Sequence, residues 1–306
     1  MTDTLIILNP HAASGTARQQ WQQVAILADQ HLHHPRVVET AHSDAVFDQL
    51  VSASDAGISR VIAVGGDGTN NAMVNALARF QDQYPERTPL IYGTLPVGTG
   101  RDWARSTGIP FSLAEAIPWM AQAVPRPVDL GLLTITGGGD TGRHHFLNIT
   151  SLGLGGEVDR RVNATAQRRP WTFLQATVMA MLTYQAQSMQ VTLDGTDWFE
   201  GPSPLLVVAN GSTFGHGMMI APDAAYDDGL FEVLLVNTTS KRSLLTSLVK
   251  VYSGTHMNHP AVSYQRARHV RITNTGAPLG LDVDGEYLTG QHLEFTVRPG
   301  LIQMLG

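Results

Sequence analysis

The chain is expected to fold as an α/β domain built on a parallel sheet, followed by a second, mainly antiparallel β-rich domain. Strand-like and helix-like runs alternate over roughly the first 130 residues. Beyond that point strand-like runs follow one another, and in the first half clusters of glycine stand where strands end.

Leu5–Leu8 is a short apolar run closed by the turn pair Asn9-Pro10. Ser14 is expected to cap a helix with Ala17, Trp21, Val24 and Ala28 at helical spacing. Arg36–Glu39 reads as a strand, and a helix opening at Ser43 carries Val46, Leu50 and Ala53 on one face. Arg60–Val64 is a β-branched strand that runs into Gly65-Gly66, with a helix expected from Thr69 or Asn70 through Met73, Leu77 and Phe80. Leu90–Tyr92 is the next strand, before a loop over Leu95–Gly100. Such an order needs crossover connections, which make the strands parallel and place helices on the sheet.

After about Leu130, strands are expected at Val128–Ile135, Phe146–Ser151, Met189–Leu193, Leu205–Ala209, Leu230–Val236, Val270–Thr273, Leu281–Val283 and Leu293–Val297. Asp194-Gly195 and Asp284-Gly285 punctuate them as turns, and Gly137-Gly138-Gly139 reads as a hairpin tip or loop. Helices over Trp171–Gln185 and Ser243–Tyr252 are the few interruptions. The expected domains are therefore 1–130 and 131–306.

At 306 residues the chain accommodates one large domain or two ordinary ones, and its 43% hydrophobic and 15% charged residues are those of a globular protein. A net charge of −6 argues against a dedicated nucleic-acid binder. The absence of cysteine removes disulfides, cysteine-held zinc and thiol nucleophiles. The first residues read as a strand rather than a signal peptide, and no apolar run reaches the roughly 18 residues of a membrane span, so the expected location is cytoplasmic. His31, His33, His34, His144 and His145 lack the spacing of a metal site and read as surface residues.

The run Val61-Ile-Ala-Val-Gly-Gly-Asp-Gly-Thr carries the strongest chemistry. Gly65, Gly66 and Gly68 let backbone approach a phosphate, and the helix that follows presents unpaired N–H groups and its positive dipole end. A second cluster, with Gly98, Thr99, Gly100, Arg101 and Asp102, follows the next strand. In a parallel sheet these loops lie side by side at the carboxyl edge. Asp67 and Asp102 would repel a polyphosphate directly, but with Mg²⁺ between them they become hard oxygen ligands. Asn9-Pro10 with Ser14-Gly15 makes a third loop. No Gly-x4-Gly-Lys-[Ser/Thr] occurs, which excludes a standard P-loop.

In the order and spacing of these motifs the chain resembles the diacylglycerol kinase catalytic domain family, which includes sphingosine, ceramide and bacterial lipid kinases. The resemblance runs through Asn9, Pro10, Ser14 and Gly15, the hallmark Gly65–Thr69, and Gly98–Asp102. It continues with Phe146-Leu-Asn148, Gly153, Asn210, Gly215-His-Gly217-Met218, Ala221-Pro222 and Asp227-Asp228-Gly229-Leu230, and it ends at Asp284-Gly285-Glu286. It implies a β-sandwich-like second domain, an active site in the cleft between the domains, and a final segment, Leu301–Leu305, that returns to the first. It implies ATP and Mg²⁺ as cofactors and Asp284 as the base for the substrate hydroxyl. Glu286 joins the nucleotide network, and Asp228 a Mg²⁺ network to which the carbonyls of Ala225 and Leu230 contribute. The family usually has Gly-Thr-x-Asn-Asp where this chain has Arg101 before Asp102, a guanidinium suited to phosphate.

The function implied is transfer of the γ-phosphate of ATP to a lipid hydroxyl, with a place in phospholipid synthesis. Two alternatives stay open: a kinase of a soluble substrate such as NAD, and a non-catalytic nucleotide-binding regulator. The expected partner is a lipid substrate at a membrane surface, reached by peripheral attachment at the inner face, with a homodimer as a further expectation. Arg160-Arg161 and Arg168-Arg169 are candidates for anionic headgroups, and the helix from Trp171 is a candidate wall of a lipid cleft.

Overall fold

The computed structural model describes residues 3–40, 43–98, 101–165, 171–215, 217–238, 240–274 and 276–306. The chain forms two compact units, Met1–Leu130 with Pro299–Gly306, and Gly131–Arg298.

The first unit contains β1 (Thr4–Leu8), α1 (Ala17–His31), β2 (Arg36–Glu39), α2 (Ser43–Asp55), β3 (Arg60–Gly65), α3 (Asp67–Gln83), β4 (Ile91–Pro96), α4 (Asp102–Thr107) and α5 (Leu113–Gln122). β1 pairs in parallel with both β2 and β3, and β3 with β4. Every residue of β1 is buried, as expected of a strand covered on both faces, whereas the edge strand β2 is largely exposed. Val46, Leu50 and Ala53 of α2 are buried as their spacing predicts.

The chain then runs through β5 (Pro125–Thr136), β6 (Gly142–Phe146), β7 (Ile149–Gly153), α6 (Leu154–Asn163), α7 (Thr172–Thr183), β8 (Gln187–Leu193), β9 (Thr196–Ser203), β10 (Leu205–Ala209) and β11 (Phe231–Val236). It finishes with α8 (Lys241–Val251), β12 (Val262–Ala267), β13 (His269–Thr273), β14 (Leu279–Val283), β15 (Glu286–Gly290) and β16 (His292–Leu305). In the second unit one antiparallel sheet runs β12-β11-β10-β7-β14-β15. The first half of β16 pairs with β13, β13 with β8 and β8 with β9, all antiparallel. Alternate residues of both strand sets meet in one core around Phe146, Phe231 and Phe295. The last residues of β16 pair in parallel with β4, within the first unit.

Five expectations are corrected. Ser14 does not cap α1: it sits at φ 55 in a left-handed turn, and Thr16 precedes the helix. α3 begins at Asp67, with Gly66 as an extended N-cap directly after the strand and the first helical bond running from Asn70 N–H to the Gly66 carbonyl at 3.0 Å. The expected strand Phe146–Ser151 is two strands, β6 and β7, since the N–H groups of Leu147, Asn148 and Ile149 turn to a carboxylate instead of a ladder. α6 is a helix beyond the two interruptions expected in this half of the chain. His145 is buried, paired opposite Leu132 on β6.

Candidate functional site

The first candidate cluster belongs to the first unit. β1, β3 and β4 are neighbours, so their carboxyl-end loops lie side by side. The pairing continues past the strands: Asn9 N–H donates to the Val64 carbonyl at 3.1 Å, and Val97 N–H to that of Gly65 at 2.8 Å. The Asn9 side chain donates to Thr69 Oγ1 at 3.0 Å, which ties the first loop to the start of α3. A side chain on Gly65 would stand 2.3 Å from the Thr69 hydroxyl, and one on Gly66 3.3 Å from the Val97 carbonyl. At Gly98, with φ 112, the loop after β4 approaches the Ala13 nitrogen, 4.0 Å from where a Cβ would lie. Asn9, Gly65, Gly66, Thr69 and Gly98 are thus brought together. Pro10 follows half-buried, and Ser14 and Gly15 lie exposed in the left-handed turn. Thr99 and Gly100 lie outside the described residues.

No side chain caps the start of α3, where Asp67 occupies the first turn and Gly68 is exposed. N–H groups and the dipole there favour an anion. The helix is fixed by an interaction the sequence reading missed: buried Asn70 accepts from the Tyr92 hydroxyl at 2.8 Å and the Thr94 hydroxyl at 2.7 Å. Full burial pushes the Tyr92 phenol well above its usual pKa, which keeps it a donor. The available signal was an Asn just after the glycine cluster, with Tyr and Thr on the next strand.

Asp102 opens α4, buried, with Arg105 at 3.4 Å. Arg101 precedes it in a left-handed conformation, φ 57. Its guanidinium carbon lies 5.7 Å from the centre of the Phe111 ring and that of Arg105 5.1 Å from the same ring. Burial, and then the neighbouring Arg105 charge, lower the Arg101 pKa. Its Nε is buried and meets no hydrogen-bond partner among the described residues. Two guanidinium groups beside one carboxylate favour the arrival of an anion.

The second cluster belongs to the second unit. Asp284 and Gly285 form the two-residue turn between β14 and β15, with φ 50 and 89. The Asp284 carboxylate accepts from the N–H groups of Leu147 at 2.6 Å, Asn148 at 3.0 Å and Ile149 at 2.9 Å. Asn148 donates from its side chain to the Thr213 carbonyl at 2.8 Å, and Asn210 to that of Leu147 at 2.7 Å. Three separated stretches of motif residues, at 146–148, at 210 and at 284, therefore converge. Three N–H donors favour the ionised form of a carboxylate. Glu286 begins β15; burial raises its pKa and the facing charge of His144 opposes the rise. Asp228 accepts from Leu230 N–H at 3.0 Å and pairs with Arg266, which also holds buried Glu232 at 3.0 Å. Ala225 is half-buried in the same turn region. His216 lies outside the described residues.

Beside β14 lies an apolar cavity of about 70 Å³, lined by side chains of α6, α7, α8 and the loop after β10, among them Leu154, Val158, Phe173, Met181, Met218 and Leu248. On the same helices Leu174, Met179, Leu182 and Val249 are exposed, as are Trp171 and Tyr252 at their ends. Arg160 and Arg161 both pair with Glu157, at 2.8 and 2.6 Å, so this half of the arginine run is already matched by a carboxylate. Arg168 and Arg169 lie outside the described residues. Among the described residues, no helix is long and apolar enough to cross a membrane, and no group of three or more histidines and carboxylates is placed to hold a metal.

Residues 3–133 match the family model described as diacylglycerol kinase catalytic domain, and residues 148–306 the YegS C-terminal NAD kinase beta sandwich-like domain. The chain is 30% identical over 251 residues to the "Probable lipid kinase YegS-like" of Chromohalobacter salexigens, covering 82% of this chain and 76% of that protein. It is 27% identical over 239 residues to the diacylglycerol kinase of Bacillus subtilis, covering 74% and 71%. A crystal structure of a diacylglycerol kinase from Bacillus anthracis str. Sterne superposes with a TM-score of 0.72 at 20% identity, covering 99% and 96%, and shows the same fold. With both family models accounting for its two halves, the chain belongs to the diacylglycerol kinase catalytic domain family of lipid kinases, as a YegS-like member.

Proposed function

We propose that the protein transfers the γ-phosphate of ATP to the hydroxyl group of a lipid. The observation that carries the lipid assignment is the apolar cavity of the second unit, walled by α7 and α8, helices that also carry exposed apolar side chains. A soluble acceptor such as NAD would call for polar lining, since polar substrate groups need hydrogen-bonding partners. Met181 and Met218 in the cavity wall suit an acyl chain, because methionine is unbranched and adaptable.

The phosphates are assigned to the loops around Asn9, Gly65–Thr69 and Gly98, with Arg101 as an added cation. Asp67 and Asp102 are the donors for Mg²⁺, which is commonly held by one or two carboxylates with substrate phosphates completing its shell. Bound with the nucleotide, Mg²⁺ supplies charge neutralisation at the β- and γ-phosphates. Asp284 is assigned as the base: its three N–H bonds hold it ionised and aimed, in the form that accepts a proton. Glu286 is assigned to the nucleotide network, and Asp228 with the carbonyls of Ala225 and Leu230 to the Mg²⁺ network.

The test is transfer of labelled γ-phosphate from ATP with Mg²⁺ to diacylglycerol, phosphatidylglycerol, sphingosine, ceramide, NAD and fructose 6-phosphate. Label on a lipid is the expected result. Label on NAD or the sugar alone would replace the lipid reading with the soluble-substrate one.

A further inference from the structure

Arg101 stands at φ 57 and ψ 30, a left-handed conformation that residues with a side chain adopt only when their surroundings hold them there. The strained residue lies in the loop after β4, on the carboxyl edge of the sheet that also carries the loops around Asn9 and Gly65. The turn brings a second guanidinium to a ring that already has one. The guanidinium carbons of Arg101 and Arg105 lie 5.7 and 5.1 Å from the centre of the Phe111 ring. Phe111 is 41% exposed, the Arg105 side chain 30%, and Arg101 is half-buried, so the pair stands within reach of a solute.

Two like charges against one ring repel each other. Asp102, 3.4 Å from Arg105, offsets one of them. Arg101 has no carboxylate of its own: among the described residues its side chain makes no hydrogen bond or ion pair, and its Nε is buried without a partner. A left-handed backbone, a like-charge neighbour and an unpaired donor all act against stability, and an arriving anion relieves the last two.

We propose that Arg101 and Arg105 form a clamp for the γ-phosphate of the nucleotide, and that Arg101 makes the site prefer a triphosphate to a diphosphate. This rests on the kinase reading. In that reading the inner phosphates meet the backbone N–H groups of the glycine loops, and the γ-phosphate keeps free oxygens beyond them. A planar guanidinium takes two such oxygens at once, and a diphosphate presents none at that place.

Calorimetric titration with ATP and with ADP, in Mg²⁺ and without lipid, tests the clamp apart from turnover. Asn accepts the left-handed backbone, so Arg101→Asn removes the guanidinium and keeps the turn. It is expected to raise the Kd for ATP about tenfold, the scale of a hydrogen bond to a charged group, and to leave that for ADP within about twofold. Arg101→Lys keeps the charge without the fork and is expected to recover only part of the loss. Without nucleotide, the unfolding midpoint of Arg101→Asn is expected to stay level or rise, since a like-charge contact has gone. A fall would make Arg101 a packing residue on Phe111 and overturn the proposal, as would equal weakening of ATP and ADP or no weakening of either. Sedimentation with phosphatidylglycerol vesicles distinguishes a lipid phosphate: vesicle binding lost in Arg101→Asn with ATP affinity unchanged would give the clamp to a headgroup instead. Equal effects on ATP and ADP leave the kinase reading standing, whereas a wild-type chain that binds no ATP removes that reading together with the clamp.

Discussion

Asp284 and Asp194 occupy the same kind of two-residue turn, each with a left-handed backbone and each followed by glycine. Asp194 accepts from the N–H groups of Arg268 and His269, at 3.0 and 2.8 Å, and so pins its hairpin to β13. Capturing backbone N–H groups is therefore a structural habit of these turns, and Asp284 must be tested for chemistry beyond it. In Asp284→Asn one oxygen can still accept, but the other becomes an NH2 donor that cannot accept from a backbone N–H, so at least one of the Leu147, Asn148 and Ile149 N–H groups is orphaned at about 1–3 kcal/mol. If Asp284 is also the base, kcat falls a further 10²–10⁴-fold or so while ATP affinity stays within about twofold. Urea unfolding separates the first effect and steady-state kinetics the second; a variant with full kcat removes the base assignment.

His256 offers a second test at this scale. It is 3% exposed, with a ring nitrogen 3.0 Å from the Ile220 carbonyl, and burial lowers its pKa despite that contact. Below about pH 6.5 the unfolded chain takes up this proton before the folded one does. Stability is therefore full above that pH and declines as pH falls toward the lowered folded value, by at most about 1.4 kcal/mol per pH unit. Urea titrations of wild type and His256→Gln at pH 7.5 and 5.5 check this: the variant should lose less stability between the two.

At the scale of elements, α7 is apolar on more faces than its neighbours cover. Ala176 and Ala180 are buried, while Leu174, Met179 and Leu182 are exposed. An apolar helix face open to water marks an interaction surface, and the proposed transfer to a lipid predicts a bilayer as its partner. Replacing Leu174 and Leu182 together by Asp should cut co-sedimentation with phosphatidylcholine vesicles severalfold, with the unfolding midpoint little changed because neither side chain is buried. Unchanged sedimentation would assign α7 another partner.

The same elements show what the sequence made legible. β1 and β3 are read correctly because strands covered on both faces are continuous apolar runs, whereas β4 is legible only to Tyr92 because Gly93 and Thr94 interrupt its run before Leu95 and Pro96. The glycines after β3 announce a strand-to-helix turn whether or not its ligand is known. α6 escaped because Gly155 and Gly156 look like loop. A Cβ on Gly156 would meet the Gly280 backbone at 2.3 Å, so that glycine serves helix-to-sheet contact, which no local pattern reports. β9 carries Gly201 and Pro202, which disguised it. The cluster around Asn9, Gly65 and Thr69 follows from neighbouring strand ends. The donors to Asp284 lie 135 to 137 residues away in the chain, and nothing at either end names the other.

At the scale of the molecule, β16 belongs to both units. Its last residues, Ile302, Met304 and Leu305 among them, are buried in the first, beside β4 and against Gly93. Gly300 N–H donates to Asp129 at 2.7 Å. Burying three such side chains contributes about 1.5–3 kcal/mol each, a large part of the 5–15 kcal/mol typical of a whole domain. Removal of residues 299–306 should therefore unfold the first unit and abolish nucleotide binding. Limited proteolysis should show rapid cutting within 1–130 and protected fragments from 131–298; equal cutting throughout would deny the second unit its independence.

Because residues 299–306 pair beside β4, the first unit's sheet stays open on the ribosome while about 200 further residues are made. At roughly 5–20 residues per second that is on the order of 10–40 s with the β4 edge bare. An uncovered strand edge is a template for a foreign strand. The nascent chain thus depends, for that interval, on a chaperone or on the sheer speed of synthesis, and slow translation of the 131–298 segment should raise aggregation without any change in the finished protein.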